Sequence, residues 1–128
     1  MKIDMLKATE IAFTCYPVID MARARKFYED VLGLKPTMAY GTPGGMQWTE
    51  YDIASGTIAL GCGAPDWRPR EDGCALALEV EDFDQAIAHL RAHRVKFKLE
   101  PMPTPVCHMA FIYDSEGNLV CIHKRKAK

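Results

Sequence analysis

The sequence predicts an α+β fold built from two βαβββ modules that form a cup-shaped mixed sheet, and three observations carry that reading. Two segments have helical periodicity, each opens on an aspartate, and the two aspartates, Asp20 and Asp82, stand about half a chain apart. A β-rich run precedes each helix. Three further apolar segments follow each helix, separated by turn-forming residues.

In the first module, Ile11 to Val18 reads as a strand, because β-branched and aromatic residues fit a pleated surface. Asp20 then caps a helix whose apolar stripe is Met21, Ala24, Phe27, Tyr28, Val31 and Leu32, and Gly33 stops it. Strands are expected over 35–40, 46–53 and 57–61, broken by Gly41-Thr42-Pro43-Gly44-Gly45 and Ala54-Ser55-Gly56.

The second module repeats the order. Cys74 to Val80 is the first strand, and Asp82 caps a helix with Gln85 placed to reach back as in a capping box. Phe83, Ala86, Ile87 and Leu90 form its buried stripe, while Arg91, His93 and Arg94 suit the negative end of the helix dipole. Strands are expected over 95–99, 107–113 and 119–124, broken by the proline-rich run Pro101 to Pro105 and by Asp114-Ser115-Glu116-Gly117-Asn118. The modules span 8–62 and 74–125 of a single domain, with 63–73, rich in Pro, Gly and charge, as the linker.

Composition narrows the function classes. The chain has 128 residues, 48% hydrophobic and 26% charged, as in a soluble globular domain with one core. Sixteen basic and seventeen acidic side chains nearly cancel, which argues against nucleic acid or an anionic membrane as partner. The basic tail Lys124-Arg125-Lys126-Ala127-Lys128 reads as a solvated end. No apolar run reaches the roughly 18 residues that span a bilayer, and Met1-Lys2-Ile3-Asp4 does not open a signal peptide, so a cytoplasmic location is expected. Five cysteines, an odd number without a Cys-x-x-Cys pair, read as free thiols. Gly41 to Gly45 lacks the Lys-Ser/Thr of a phosphate-binding loop.

Two stretches carry a family resemblance. Tyr16-Pro17-Val18-Ile19-Asp20-Met21-Ala22-Arg23-Ala24, followed by Phe27-Tyr28 and Val31-Leu32-Gly33-Leu34, resembles the opening signature of vicinal oxygen chelate proteins, the glyoxalase/bleomycin resistance/dioxygenase group. Leu78-Glu79-Val80-Glu81-Asp82 and Asp114-Ser115-Glu116-Gly117-Asn118-Leu119 are similar to its second half. Ser115 and Glu116 depart from the family turn but are expected to be harmless, since Asp114 and Gly117 keep the positions a tight turn most needs. The resemblance implies paired modules whose concave face holds a ligand or an active site, and it leaves lyase chemistry open.

In metal-dependent members the ligands sit on the first and last strands of each module. Carried over by motif, those positions fall on Phe13, Ala75, the Ala59/Leu60 pair and Cys121. A thiol among phenyl and aliphatic groups is not a site for a catalytic divalent ion, which needs about three oxygen or nitrogen ligands, so no metal and no other cofactor is expected.

Strand alternation from these positions names the rest of the face: Cys15 on the first strand, Ala77 and Glu79 beside Ala75, Cys107, Met109 and Phe111 on the penultimate strand, and His123 beyond Cys121. Ala110 and Ile112 then point to the helices. Trp48, with Glu50 or Gln47, joins the candidates from the third strand, and Trp48 and Trp67 form a lid or rim, although simple packing is the first reading of Trp48. The catalytic candidates are Cys107, Cys121 and His123, with His123 the better base because His108 points to the opposite face from Cys107.

The leading expectation is a protein that binds, or also transforms, a small hydrophobic molecule on an apolar, sulphur-rich face without the usual metal. One alternative is a metal-dependent lyase, isomerase or dioxygenase with displaced ligands drawn from His108, His123, Cys107 and Glu50. Another is a thiol-dependent enzyme or electrophile sensor. A homodimer is expected, because a partner can complete the exposed face of each sheet.

Overall fold

The structure is a computed structural model and describes residues 5–127, so that Met1 to Asp4, and Lys128 of the basic tail, lie outside the described residues. Its elements follow the order β1 (Thr14–Pro17), α1 (Met21–Lys26), β2 (Met38–Gly41), β3 (Gln47–Ile53), β4 (Gly56–Cys62), β5 (Leu76–Glu79), α2 (Phe83–Ala92), β6 (Phe97–Pro103), β7 (Cys107–Tyr113) and β8 (Leu119–Arg125). This is βαβββ twice. The strands form two four-stranded sheets, in the orders β1-β4-β3-β2 and β5-β8-β7-β6. In each, the first strand runs parallel to the last and the other pairs are antiparallel.

Both helices start where the aspartates place them. Asp20 accepts from the Arg23 amide and Asp82 from the Gln85 amide, each at 3.0 Å, satisfying donors that no helical carbonyl can reach. The first helix is not uniform. After Lys26 the chain widens into a π-helical turn, Phe27–Val31, in which the Leu32 amide bonds the Phe27 carbonyl at 3.0 Å. The wider turn buries the adjacent residues Phe27 and Tyr28 together, and Gly33, at a φ of 75°, ends it.

The strands differ from expectation at the sheet edges. β1 begins at Thr14 rather than Ile11, its parallel pairing with β4 running from Thr14 opposite Ile58 to Pro17 opposite Gly61. β2 forms over Met38–Gly41, later than expected. The proline-rich run expected to be a turn is instead the end of β6, which continues through Pro101 to Pro103. An edge strand tolerates this, since its outward N–H groups have no ladder to feed, and two irregularities between Phe97 and Met102 absorb the misfit.

One core joins the halves. Tyr16, Ala24, Tyr28, Tyr51, Ile58 and Leu60 from the first pack in the same buried cluster as Ile87, Leu90, Ala110, Ile112, Val120 and Ile122 from the second. The sheets meet along a seam between the edge strands β1 and β5, and no backbone ladder crosses it. Side chains hold it instead. The Tyr16 hydroxyl donates to the Leu119 carbonyl at 2.6 Å and accepts from the Leu76 amide at 2.8 Å. The Asn118 amide group donates to the Pro17 carbonyl at 2.9 Å, and the Tyr28 hydroxyl to Asp114 at 2.8 Å. Burial pushes the Tyr16 hydroxyl up to about 12, although the Leu76 amide pulls the other way, so it stays a neutral donor.

The turn between β7 and β8 forms as expected: Asp114 accepts from the Glu116 and Asn118 amides and Gly117 takes a φ of 94°. Glu116, though, does more than pass through it. Its carboxylate accepts from the Ile19 and Asp20 amides, both at 2.9 Å, and pairs with both Arg23 nitrogens facing it, Nε at 2.7 Å and Nη2 at 2.9 Å. The side chain is fully covered. Burial by itself raises its pKa, but the Arg23 pair, the two amides and the Ser115 hydroxyl outweigh that and hold it at about 2. Glu116 thus locks the second half onto the start of α1.

Candidate functional site

The ladder registers lay the candidates out in rows on the sheet faces turned away from the helices. On the first sheet one row runs Cys15, Ala59, Glu50, Met38 and the next Pro17, Gly61, Trp48, Tyr40. On the second sheet the rows are Ala77, Cys121, Phe111, Leu99 and Glu79, His123, Met109, Met102. The intervening rows, such as Leu76, Val120 and Ile112, point into the core, as do Tyr16, Leu60 and Thr49. Ala110 and Ile112 are fully buried there, and His108 lies on that side as well, its ring 5.7 Å from Phe83.

The first face is aromatic. Phe13 meets Trp48 edge to face at 5.6 Å and remains 45% exposed. Trp48 donates its indole N–H to Glu50 at 2.8 Å, which fixes both side chains. Gly61 is the floor on which both indoles rest, since a Cβ there would stand 2.7 Å from Trp67 Cζ3 and 3.0 Å from Trp48. Met38 and Tyr40 continue the face at 48% and 61% exposure. The sequence marks Trp67 only as lid or rim and does not mark Gly61, Met38 or Tyr40. Only the register linking β2 to β3 brings Met38 and Tyr40 beside Glu50 and Trp48.

The second face is smaller in its side chains and carries the sulphur. Ala75 and Ala77 are exposed, Met109 and Phe111 half-buried, and Cys107 and Cys121 buried. Cys107 Sγ lies 3.0 Å from the Thr104 hydroxyl. Burial pushes the Cys121 thiol up, and Cys107 adds to that. His123 Nδ1 lies 2.6 Å from Glu79 Oε1, and Glu79 Oε2 accepts from the Arg125 amide at 2.7 Å. The amide and then the imidazole hold the Glu79 carboxyl below the usual carboxylate value.

The candidates therefore fall into two groups. Phe13, Cys15, Trp48 and Glu50 share the first face, while Ala77, Cys107, Met109, Phe111, Cys121 and His123 share the second. A cleft of about 290 Å3 joins them at the seam, where Cys15, Pro17, Trp67 and Ala75 line one space. A larger cleft of about 820 Å3 opens farther along the same seam, between Ile11, Thr14, the 53–58 turn and Leu76 to Glu79.

The donor set at the family's metal positions does not fit a metal. Phe13, Ala59, Leu60 and Ala75 have no donor atom, and the Cys121 thiol is held protonated. Among the described residues, no three His, Cys, Asp or Glu side chains are grouped closely enough to hold an ion, so His108, His123, Cys107 and Glu50 do not converge. No helix among the described residues is long and apolar enough to cross a membrane.

Comparisons with known proteins agree with this architecture. The fold is similar to that of TnmS3, an antibiotic binding protein from Streptomyces sp. CB03234, with a TM-score of 0.78 and 20% identity over 95% of this chain and 100% of that one. It is also similar to the trypanothione-dependent glyoxalase I of Leishmania major, with a TM-score of 0.74 and 22% identity over 91% and 87%. A glyoxalase/bleomycin resistance protein from Streptomyces sp. CB03234 gives a TM-score of 0.70 and 23% identity over 88% and 98%. No curated protein sequence matches the chain. The family model for the glyoxalase/bleomycin resistance protein/dioxygenase superfamily matches residues 10–122, and the chain belongs to that superfamily.

Proposed function

We propose that this protein binds a small, flat and largely apolar molecule on the sheet faces opposite its helices, without a resident metal. The observation that carries the reading is the exchange of donor atoms for aromatic and apolar surface: Phe13 stands at a family metal position and packs on Trp48, which with Trp67 lies over Gly61. Indole and phenyl faces stack favourably on planar ligands, and Glu50 supplies one polar handle beside them. The same fold serves an antibiotic binding protein and a glyoxalase I, so the choice of sequestration rests on the missing donor atoms.

Two alternatives are weaker. A thiol enzyme or electrophile sensor needs a thiolate, and both Cys107 and Cys121 are buried, with the Cys121 thiol raised by that burial. A metal enzyme with displaced ligands needs donors that converge, and the candidates lie on different faces. We further infer that the functional unit is a homodimer in the cytoplasm. Phe13, Met38, Tyr40 and Met102 leave apolar area on both faces that a second copy would cover.

Both tryptophans of the chain belong to this site, so intrinsic fluorescence reads it directly. Titration with a neutral naphthalene-sized arene is expected to quench them saturably, and Trp48→Ala to weaken binding about tenfold, or ~1.4 kcal/mol. Absence of saturable quenching would remove the binding reading. A stoichiometric divalent ion in protein purified without chelator would replace it with the metal-dependent one.

A further inference from the structure

We propose that His123, oriented by Glu79, accepts a proton from a weakly acidic conjugated hydroxyl, phenolic or enolic, on a flat compound bound to the second sheet face. The proposal rests on that face being a binding surface, and it names the chemistry the face selects.

The geometry around His123 is more constrained than strand pairing requires. Glu79 and His123 are already partners in the β5–β8 ladder, so a side-chain bond between them is not needed to hold the strands. Both carboxylate oxygens are nevertheless committed, Oε1 to His123 Nδ1 at 2.6 Å and Oε2 to the Arg125 amide at 2.7 Å. A carboxylate anchored in this way places the imidazole proton on Nδ1 and leaves the Nε2 lone pair free. Among the described residues Nε2 has no hydrogen-bond partner, and the side chain is one quarter exposed.

The neighbours define what can approach. Met109 lies across the ladder on β7, with Met102 of β6 beyond it, and Ala77, Cys121 and Phe111 form the next row. The ionisable groups around that face are Glu79 from β5, Cys121 and Arg125 from β8, Cys107 from β7, and Glu10, which lines the seam cleft with Glu79. An apolar body therefore fits against Met109 and Phe111 with its single polar group on Nε2. When the ligand O–H breaks, its electron pair stays on the oxygen and the proton forms the Nε2–H bond. The imidazolium so formed lies against Glu79, which compensates its charge.

The test uses 4-nitro-1-naphthol, whose absorbance reports ionisation, beside its methyl ether, which has no proton to give. Equilibrium dialysis reads binding of each, because both tryptophans stand on the other sheet face. Bound naphthol is expected to ionise about one pH unit lower than free naphthol, a tenfold change in its acid constant. His123→Gln should abolish that shift and weaken the naphthol more than the ether, and Glu79→Gln should reduce it. If the naphthol binds and ionises as it does in water, or if His123→Gln keeps the shift, the proposal is overturned. If neither compound is retained in dialysis, the second face is not a binding surface, and the underlying reading of that face fails along with the proposal.

Discussion

Replacing Glu116 by glutamine removes the charge that fastens the second half of the chain to the start of α1, and its cost can be worked from the structure. The carboxyl is held at about 2 rather than its usual 4.5 by Arg23, Ser115 and the amides of Asp20 and Ile19. That preference for the charged form corresponds to about 3 kcal/mol at neutral pH. Arg23 is half exposed, so solvent screens part of the pair, and Glu116→Gln is expected to cost about 2 kcal/mol. For a chain of this length that lowers Tm by roughly 5–10 °C. Because the folded pKa lies below the unfolded one, the contribution is fully present above about 4.5 and disappears as the pH falls through about 2. Urea unfolding of both proteins across that range should give curves that converge in acid, where the protonated acid and the amide are near-isosteres. A gap that stays constant with pH, or no gap at neutral pH, would refute the assignment of the stability to this carboxylate.

Other outcomes follow from single contacts. Tyr16→Phe leaves the Leu119 carbonyl and Leu76 amide without their partner and should cost about 2 kcal/mol in chemical denaturation. Gly61→Ala places a methyl group within 2.7 Å of the Trp67 ring, so it should shift the fluorescence maximum and weaken arene binding several-fold. The buried thiols Cys107 and Cys121 should label far more slowly with a mild alkylating agent than the exposed Cys15 and Cys74, as peptide mapping would show. Sedimentation should give twice the chain mass if a second copy covers the apolar faces.

Local chemistry made much of this fold legible. Asp20 and Asp82 announced both helices through their caps, and alternation placed Met109 and Phe111 opposite Ala110 and Ile112. What stayed hidden depended on partners distant in sequence. β1 pairs with β4 only from Thr14 onward, and β6 runs through prolines because it lies at an edge. Glu116 looked like a neutral turn residue, and only the approach of Ile19, Asp20 and Arg23 gives it a role. In the site, strand parity named His123, while Phe13 came from the family motif and Trp48 was named from the third strand as lid or rim. The aromatic floor at Gly61 and the Glu79–His123 bond needed the register between strands.

The seam between the sheets also has a dynamic signature. Every hydrogen bond that crosses it among the described residues involves a side chain, so the halves can part without breaking any rung of either ladder. Three of these bonds have a backbone amide as donor: Leu76 to the Tyr16 hydroxyl, and Ile19 and Asp20 to Glu116. Amide exchange at those three positions reports undocking of the halves, while the amides of β4 and β8 report unfolding of the sheets themselves. The logarithm of the slowing at those three amides, multiplied by RT, is the free energy with which one half grips the other.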